Sequence, residues 1–353
     1  MEEHKTDILH KVHISKVILP IMIGVAVIMY MLYRQFNWEE FNKIQWDFHT
    51  YFWIGMALLV YIIRHLFISA RLRLLSGFEF GWKKAIELIF IWEFSSSVSP
   101  TSFGGSAVAL YFLSHEKLQT SKSITLVLYT VVLDSLFFLL SLPILIFALG
   151  PIVFRPGLTS FWEGDNHLYI FALIYIGMLL YTGFFFYGLF LHPENIKKTL
   201  HWLANRKILR RFKQSLIRVG NNVVLASHEL GNQKIIYHLR AFLYTGFAWA
   251  LRFFVINLLI IAFSSVKITD LISQTIIYAR SQNLYVETSF TPTPGSTGFA
   301  EYLFSGFFHD YIPVGLALVI AIIWRVMTYY TYLFAGVIIV PNWINKILSK
   351  RAL

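Results

Sequence analysis

The chain has 353 residues, 57% of them hydrophobic and 14% charged. Soluble domains carry roughly 25% charged residues, so an ordinary soluble fold is excluded and a polytopic membrane protein remains. The absence of cysteine removes disulfide and thiolate chemistry, and the net charge of +11 reads as Lys and Arg in cytoplasmic loops facing anionic lipid rather than as a nucleic-acid surface.

Apolar runs that match the roughly 20 residues a span needs occur at 17–33, 50–68, 123–149, 167–191, 237–263 and 313–340. The first follows Lys5, Lys11 and Lys16 but lacks a small-x-small cleavage site, so it reads as a retained span rather than a signal peptide. His4, His10 and His13 belong to the tail before it. Two further segments, 82–113 and 270–309, are apolar but interrupted by Pro and Gly.

Loop charge orients these runs. The loop 69–84 holds Arg71, Arg73, Lys83 and Lys84, the loop 192–236 is rich in Lys and Arg, and the tail holds Lys346, Lys350 and Arg351. These face the cytoplasm, and the segments 34–49, 150–166 and 264–269 face outward. Both termini then lie in the cytoplasm of a multi-pass protein of the cell (inner) membrane. Each interrupted segment returns to its starting side, from opposite faces. We read both as re-entrant hairpins; two full passes with a tight turn would satisfy the same charge pattern.

The expected architecture is an all-α polytopic membrane protein. It has about six full spans and two re-entrant hairpins in inverted repeats, 50–149 and 237–340, within one integral membrane domain. Between the repeats, Trp202, Leu203, Ile208, Leu209, Phe212, Leu216 and Ile217 recur at helical spacing among basic residues. That pattern predicts a basic amphipathic helix on the inner leaflet.

The interruptions share a phrase. One is Ser97-Val98-Ser99-Pro100-Thr101-Ser102-Phe103-Gly104-Gly105; the other is Ser289-Phe290-Thr291-Pro292-Thr293-Pro294-Gly295-Ser296-Thr297-Gly298, then Phe299-Ala300-Glu301. Pro stops the incoming helix, Gly permits backbone conformations closed to other residues, and a following helix starts with free N–H groups suited to an anion. Non-helical backbone at membrane depth survives only where protein or a water-filled cavity satisfies it. Two such breaks in corresponding positions point to a binding site between the repeats.

Ionisable residues within the apolar segments are Arg64, Glu93, Asp134, Arg252, Arg280, Glu287, Glu301 and Arg325. A charge at the bilayer centre costs about 2.5–3.5 kcal/mol on insertion scales, so such residues pair or line a cavity. Arg64 has a further option, snorkelling to the cytoplasmic interface. The candidate substrate-binding set is Glu93, Ser99, Pro100, Gly104, Gly105, Asp134, Arg252, Arg280, Glu287, Pro292, Pro294, Gly295, Gly298, Glu301 and Arg325.

Pro-x-x-x-Gly-Gly, Asp134 in the next span, Pro292-x-Pro-Gly-x-x-Gly-x-x-Glu301 and the last span with Arg325 and Tyr329 to Gly336 resemble the lysylphosphatidylglycerol synthase transmembrane family, or flippase-like domain family. The resemblance runs from about 17 to 341. It implies movement of a lipid across the bilayer, since the family includes the membrane half of the bacterial multiple peptide resistance factor, which moves aminoacylated phosphatidylglycerol. Other members stand alone, some linked to lipid-linked sugar pathways. The soluble aminoacyl-transferase domain of that factor is not in this sequence. Three departures bear on the head group. Ala107–Leu110 contains no Arg where the family usually has one soon after the first Gly-Gly, Ser296 and Thr297 follow Gly295 where the family often has a second Gly, and Val131-Val132-Leu133 precede Asp134 where an acid–arginine pair is common.

The function expected is flippase-like movement of a phospholipid or lipid-linked precursor. In this reading Arg325 and hairpin amides contact phosphate, and Glu301, Glu287 or Glu93 contact any cationic group. The partner is a membrane lipid, anionic or a lipid-linked precursor, with no nucleic acid; a homo-oligomer is compatible with it. No cofactor is called for, and the lack of a Gly-x-x-x-x-Gly-Lys-Ser/Thr loop removes ATP as energy source. A membrane-embedded lipid-linked sugar transferase is the enzymatic alternative, with Glu39, Glu40 and Asp47 in the first outer loop. No Asp-x-Asp metal pair occurs, and His115-Glu116 and His228-Glu229 lack the second histidine of a zinc helix. An accessory protein of a lipid or glycan pathway is the third reading.

Overall fold

A computed structural model describes residues 41–352 apart from 43, 45, 100–103, 117, 162–165, 207–211, 265–267, 269, 290 and 292. All regular structure among the described residues is helical. Five helical stretches are long and apolar enough to cross a membrane: Phe48–Leu75, Ser121–Val153, Leu168–Leu191, Ile235–Phe263 and Gly315–Ile347. They coincide with five of the six expected runs; the run 17–33 lies outside the described residues.

Helix α1 (Phe48–Leu75) starts where the Asp47 carboxylate accepts from the Thr50 backbone N–H at 3.0 Å. That hydrogen bond holds the Asp47 carboxyl below the usual carboxylate range. The helix ends at Gly77, whose positive φ of 67° lets the Phe78 N–H turn back to the Arg73 carbonyl at 2.7 Å. Arg71 and Arg73, expected in a loop, are therefore helical.

The first broken segment is α2 (Trp82–Val98) followed by α3 (Gly104–His115). Helix α2 stops at Ser99, whose extended backbone (ψ 139°) is the conformation a following proline imposes. Helix α4 (Thr120–Leu149) is the next span, and α5 (Asn166–Phe186) runs on through a π turn at Tyr187–Leu191. The basic region is not the one helix expected over 202–217. It forms two, α6 (Pro193–Ala204) and α7 (Lys213–Gly231), packed on each other and on the π turn. Ile196, Leu200, Ala204, Val223, Ala226 and Leu230 form the buried seam, whereas Trp202 and Phe212 are exposed. Ile208 and Leu209 lie outside the described residues.

Helix α8 (Ile235–Phe263) pairs with α1 along its length, antiparallel. Thr50 Oγ1 donates to the Ala262 carbonyl at 3.1 Å near one end, and Arg71 donates to Thr245 Oγ1 at 3.0 Å near the other. The second broken segment is α9 (Leu271–Thr288), a short 3-10 turn at Pro294–Ser296 and α10 (Phe299–Phe308). Helix α11 (Val314–Arg325) continues through a π turn, Val326–Tyr330, into α12 (Thr331–Ala352).

Three apolar clusters hold these elements together. One joins α1, α2, α3, α4 and the α6–α7 pair; one joins α1, α8, α9, α10 and α11; a smaller one joins α4, Phe171 of α5, Phe253 and Val286. The polar site lies between them.

A polar cavity where the two broken segments meet

A cavity of about 220 Å³ is lined by residues from α1, α2, α3, α4, α8, α9, α10, the second break and the last span. Helix α1 contributes Arg64, Ile68 and Arg71; α2 contributes Ile89, Trp92, Glu93, Ser96 and Ser97; α4 contributes Thr130, Val131 and Asp134. Helix α8 contributes Ala248, Trp249 and Arg252, α9 contributes Tyr285, Thr288 and Ser289, and the last span contributes Trp324, Arg325, Thr328 and Tyr329. Ser106 of α3, Gly295 and Ser296 of the second break and Ala300 of α10 complete the wall.

Four arginines line this space. Arg64 is buried and pairs with Glu93 at 2.6 Å, its other nitrogen donating to the Tyr332 hydroxyl at 2.8 Å. It does not snorkel. Arg71 pairs with Asp134 at 2.5 Å, and the Trp249 indole N–H donates to the same carboxylate oxygen at 2.8 Å. Arg325 Nε pairs with Glu301 at 3.0 Å, while Nη2 donates to the Gly295 carbonyl at 2.7 Å and to Thr297 Oγ1 at 3.2 Å. Arg252 differs. Among the described residues it has no carboxylate at salt-bridge distance and no hydrogen-bond acceptor, and its guanidinium lies over the rings of Trp249 and Tyr285 at 5.4 and 5.3 Å.

Tyr329 joins the two breaks. The π turn carries its ring against Gly295, so a Cβ built there would lie 2.0 Å from Cε2. Its hydroxyl donates to the Ser97 carbonyl, at the end of α2, at 3.2 Å, and Arg325 stacks on its face at 4.1 Å. Gly105 serves the first break in the same way. A Cβ there would lie 1.9 Å from Ser96 Oγ, so only glycine allows α3 to cross α2 so closely. Gly295 and Gly298 also have positive φ, 57° and 86°. Ser296 shares that conformation at φ 59°, and its hydroxyl donates to the Thr288 carbonyl at 2.5 Å.

The candidate residues sort by position. Glu93, Asp134, Arg252, Gly295 and Arg325 line the cavity. Glu301, 2% exposed, sits behind Arg325; its second oxygen accepts from the Gly298 N–H at 2.7 Å. The amide expected to meet a phosphate is thus taken by the chain's own carboxylate, and Glu301 is not presented to a cationic group. Gly105 lets α3 cross α2, Gly298 caps the start of α10, Ser99 caps α2, Gly104 opens α3, and Pro294 opens the 3-10 turn; none of the five lines the cavity. Pro100 and Pro292 lie outside the described residues.

Arg280 is elsewhere. It is fully buried, paired with Asp310 at 2.7 Å, and donates to the carbonyls of Ile152 and Phe307, so it fastens α9 to the loop after α4 and to the end of α10. Glu287 is buried in α9 but does not line the cavity. Arg71, Trp249 and Tyr285 were missed in the sequence. The usable signal is spacing: Arg64, Ile68 and Arg71 fall on one face of α1, and Thr245, Trp249 and Arg252 on one face of α8.

A second, apolar groove of about 850 Å³ adjoins the cavity. Ser106, Val131, Asp134, Trp249, Tyr285 and Ser289 line both. Phe138, Leu173, Ile174 and Met178 form much of the remaining wall, between α4 and α5.

No solved structure matches the chain. It is 25% identical over 334 residues to a UPF0104 membrane protein of Archaeoglobus fulgidus, which covers 89% of this chain and 92% of the relative. With its several apolar helices it is a multi-pass membrane protein. The sequence pattern described as the Lysylphosphatidylglycerol synthase TM region matches residues 17–336, and the chain belongs to that family.

Proposed function

We propose that the protein takes a membrane lipid, with its head group in the polar cavity and its tail in the adjoining groove, and moves it between leaflets. The observation that carries this reading is the junction. A small chamber rich in arginine shares six lining residues with a larger apolar groove, which is the division of surface a lipid has. Ligand sites are commonly apolar clefts with a few placed polar groups, and intramembrane charges mark transport paths.

The reading takes the broken segments as re-entrant and the halves 50–149 and 237–340 as inverted repeats in the cell membrane, termini cytoplasmic. Helices α3 and α10 have 12 and 10 residues. At 1.5 Å per residue these are about 18 and 15 Å, well short of the roughly 30 Å hydrocarbon core. Without a nucleotide-binding loop, movement is downhill or coupled to an ion gradient.

Proteoliposomes holding the purified protein and head-group-labelled lipids test this. Transbilayer exchange should exceed that of empty vesicles, and Val131→Trp, which narrows the junction without changing charge, should lower it at least tenfold while the protein stays monodisperse. Exchange equal in the variant and the parent protein would overturn the route, and no exchange of any lipid would overturn the function.

A further inference from the structure

We infer that the head group taken is an anionic phosphate without a compensating amine, and that Arg252 is the residue that holds it. The inference rests on the lipid reading above and names its substrate class.

The argument is one of charge pairing. Both acids that line the cavity, Glu93 and Asp134, already have an arginine within 2.6 Å. The third acid nearby, Glu301, is buried and held by Arg325 and the Gly298 amide. An ammonium head group would find no free carboxylate here and would face Arg252. A phosphate meets the opposite situation. Arg252 lines the chamber with a guanidinium that has no salt bridge among the described residues; Glu93 feels its charge but is itself paired with Arg64, and the rings of Trp249 and Tyr285 hold it in place without using its donors.

Guanidinium presents a planar fork of N–H donors that fits phosphate oxygens two at a time. The neighbouring wall adds neutral hydroxyls, Ser96, Ser106 and Thr130, suited to the remaining oxygens. Trp249, Tyr285 and Ser289 also border the apolar groove, so the charge sits beside the tail's compartment. A lipid phosphate satisfies both compartments at once, whereas free phosphate leaves the groove unused.

Binding to the full-length protein in detergent, followed by fluorescence of Trp92 and Trp249, tests the inference. The probes are short-chain phosphatidic acid, phosphatidylglycerol, phosphatidylcholine and lysyl-phosphatidylglycerol, with inorganic phosphate as a separate arm. Phosphatidic acid should bind at least tenfold tighter than phosphatidylcholine or the lysylated lipid, about 1.4 kcal/mol. Arg252→Gln should abolish that preference, and Arg252→Lys should keep most of it. Equal or tighter binding of the lysylated lipid would overturn the head-group assignment and leave lipid binding standing. A preference unchanged in Arg252→Gln would overturn the role of Arg252. Free phosphate binding as tightly as phosphatidic acid would overturn the lipid as its source. No binding of any lipid would remove the transport reading as well.

Discussion

The Tyr329 ring lies against Gly295 so closely that a single added methyl group would collide with it at 2.0 Å, while its hydroxyl reaches the Ser97 carbonyl on the other broken segment. One side chain of the last span therefore holds both breaks in register. Gly295→Ala should cost about 1–2 kcal/mol for left-handed backbone and about 1–3 kcal/mol for displacing the ring. Tyr329→Phe, losing only the hydroxyl, should cost about 0.5–1.5 kcal/mol. Thermal unfolding in detergent should show Gly295→Ala with Tyr329→Ala to be less destabilised than the two single changes summed. Strict additivity would mean that the ring and the glycine do not interact.

The Arg325–Glu301 pair is buried on both sides. Removing one member leaves an uncompensated charge, at about 3–5 kcal/mol. Arg325→Met should therefore destabilise strongly, and adding Glu301→Gln should recover part of the loss. A double variant no more stable than Arg325→Met alone would show that Arg325 acts through the Gly295 carbonyl and Thr297 rather than through Glu301.

Ser296 sits where the family often has glycine, and the backbone explains why. At φ 59° glycine is relieved of roughly 1 kcal/mol of strain, but it forfeits the hydroxyl bond to Thr288, worth about as much. Ser296→Gly should stay within about 1 kcal/mol of the parent in apparent unfolding midpoint. Ser296→Val, which keeps neither advantage, should be clearly destabilised.

Helix α3 crosses α2 at Gly105 over Ser96. Gly105→Ala forces that crossing apart and should cost about 1–3 kcal/mol. Because the built Cβ also lies 3.0 Å from the Ser96 Cα, Ser96→Gly should restore only part of the loss. Full restoration would place the whole conflict on the side chain.

Much of this arrangement was legible beforehand. Asp134, Glu93 and Arg325 stood out because charge in an apolar run needs a reason, and the Pro/Gly phrases stood out because they break helices. What misled was position along the helix axis. Arg71 looked like loop charge because hydropathy falls near it, yet α1 continues to Leu75 and turns that residue inward to Asp134. Arg280 and Glu301 looked available for a ligand because sequence shows charge but not partner, and each is held within the protein, by Asp310 and by Arg325. The basic region carried a helical period across a stretch that ends one helix and starts another, so its buried seam was misassigned.

The most direct measurement is photo-crosslinking in native membranes with p-benzoylphenylalanine at Val131, where cavity and groove meet, and at Phe147, which is 95% exposed, as the bulk-facing control. Mass spectrometry of the adducts should find one lipid class enriched at position 131 over its share of the membrane, and bulk composition at position 147. Adducts of bulk composition at both positions, or none at 131, would contradict a lipid site at the junction.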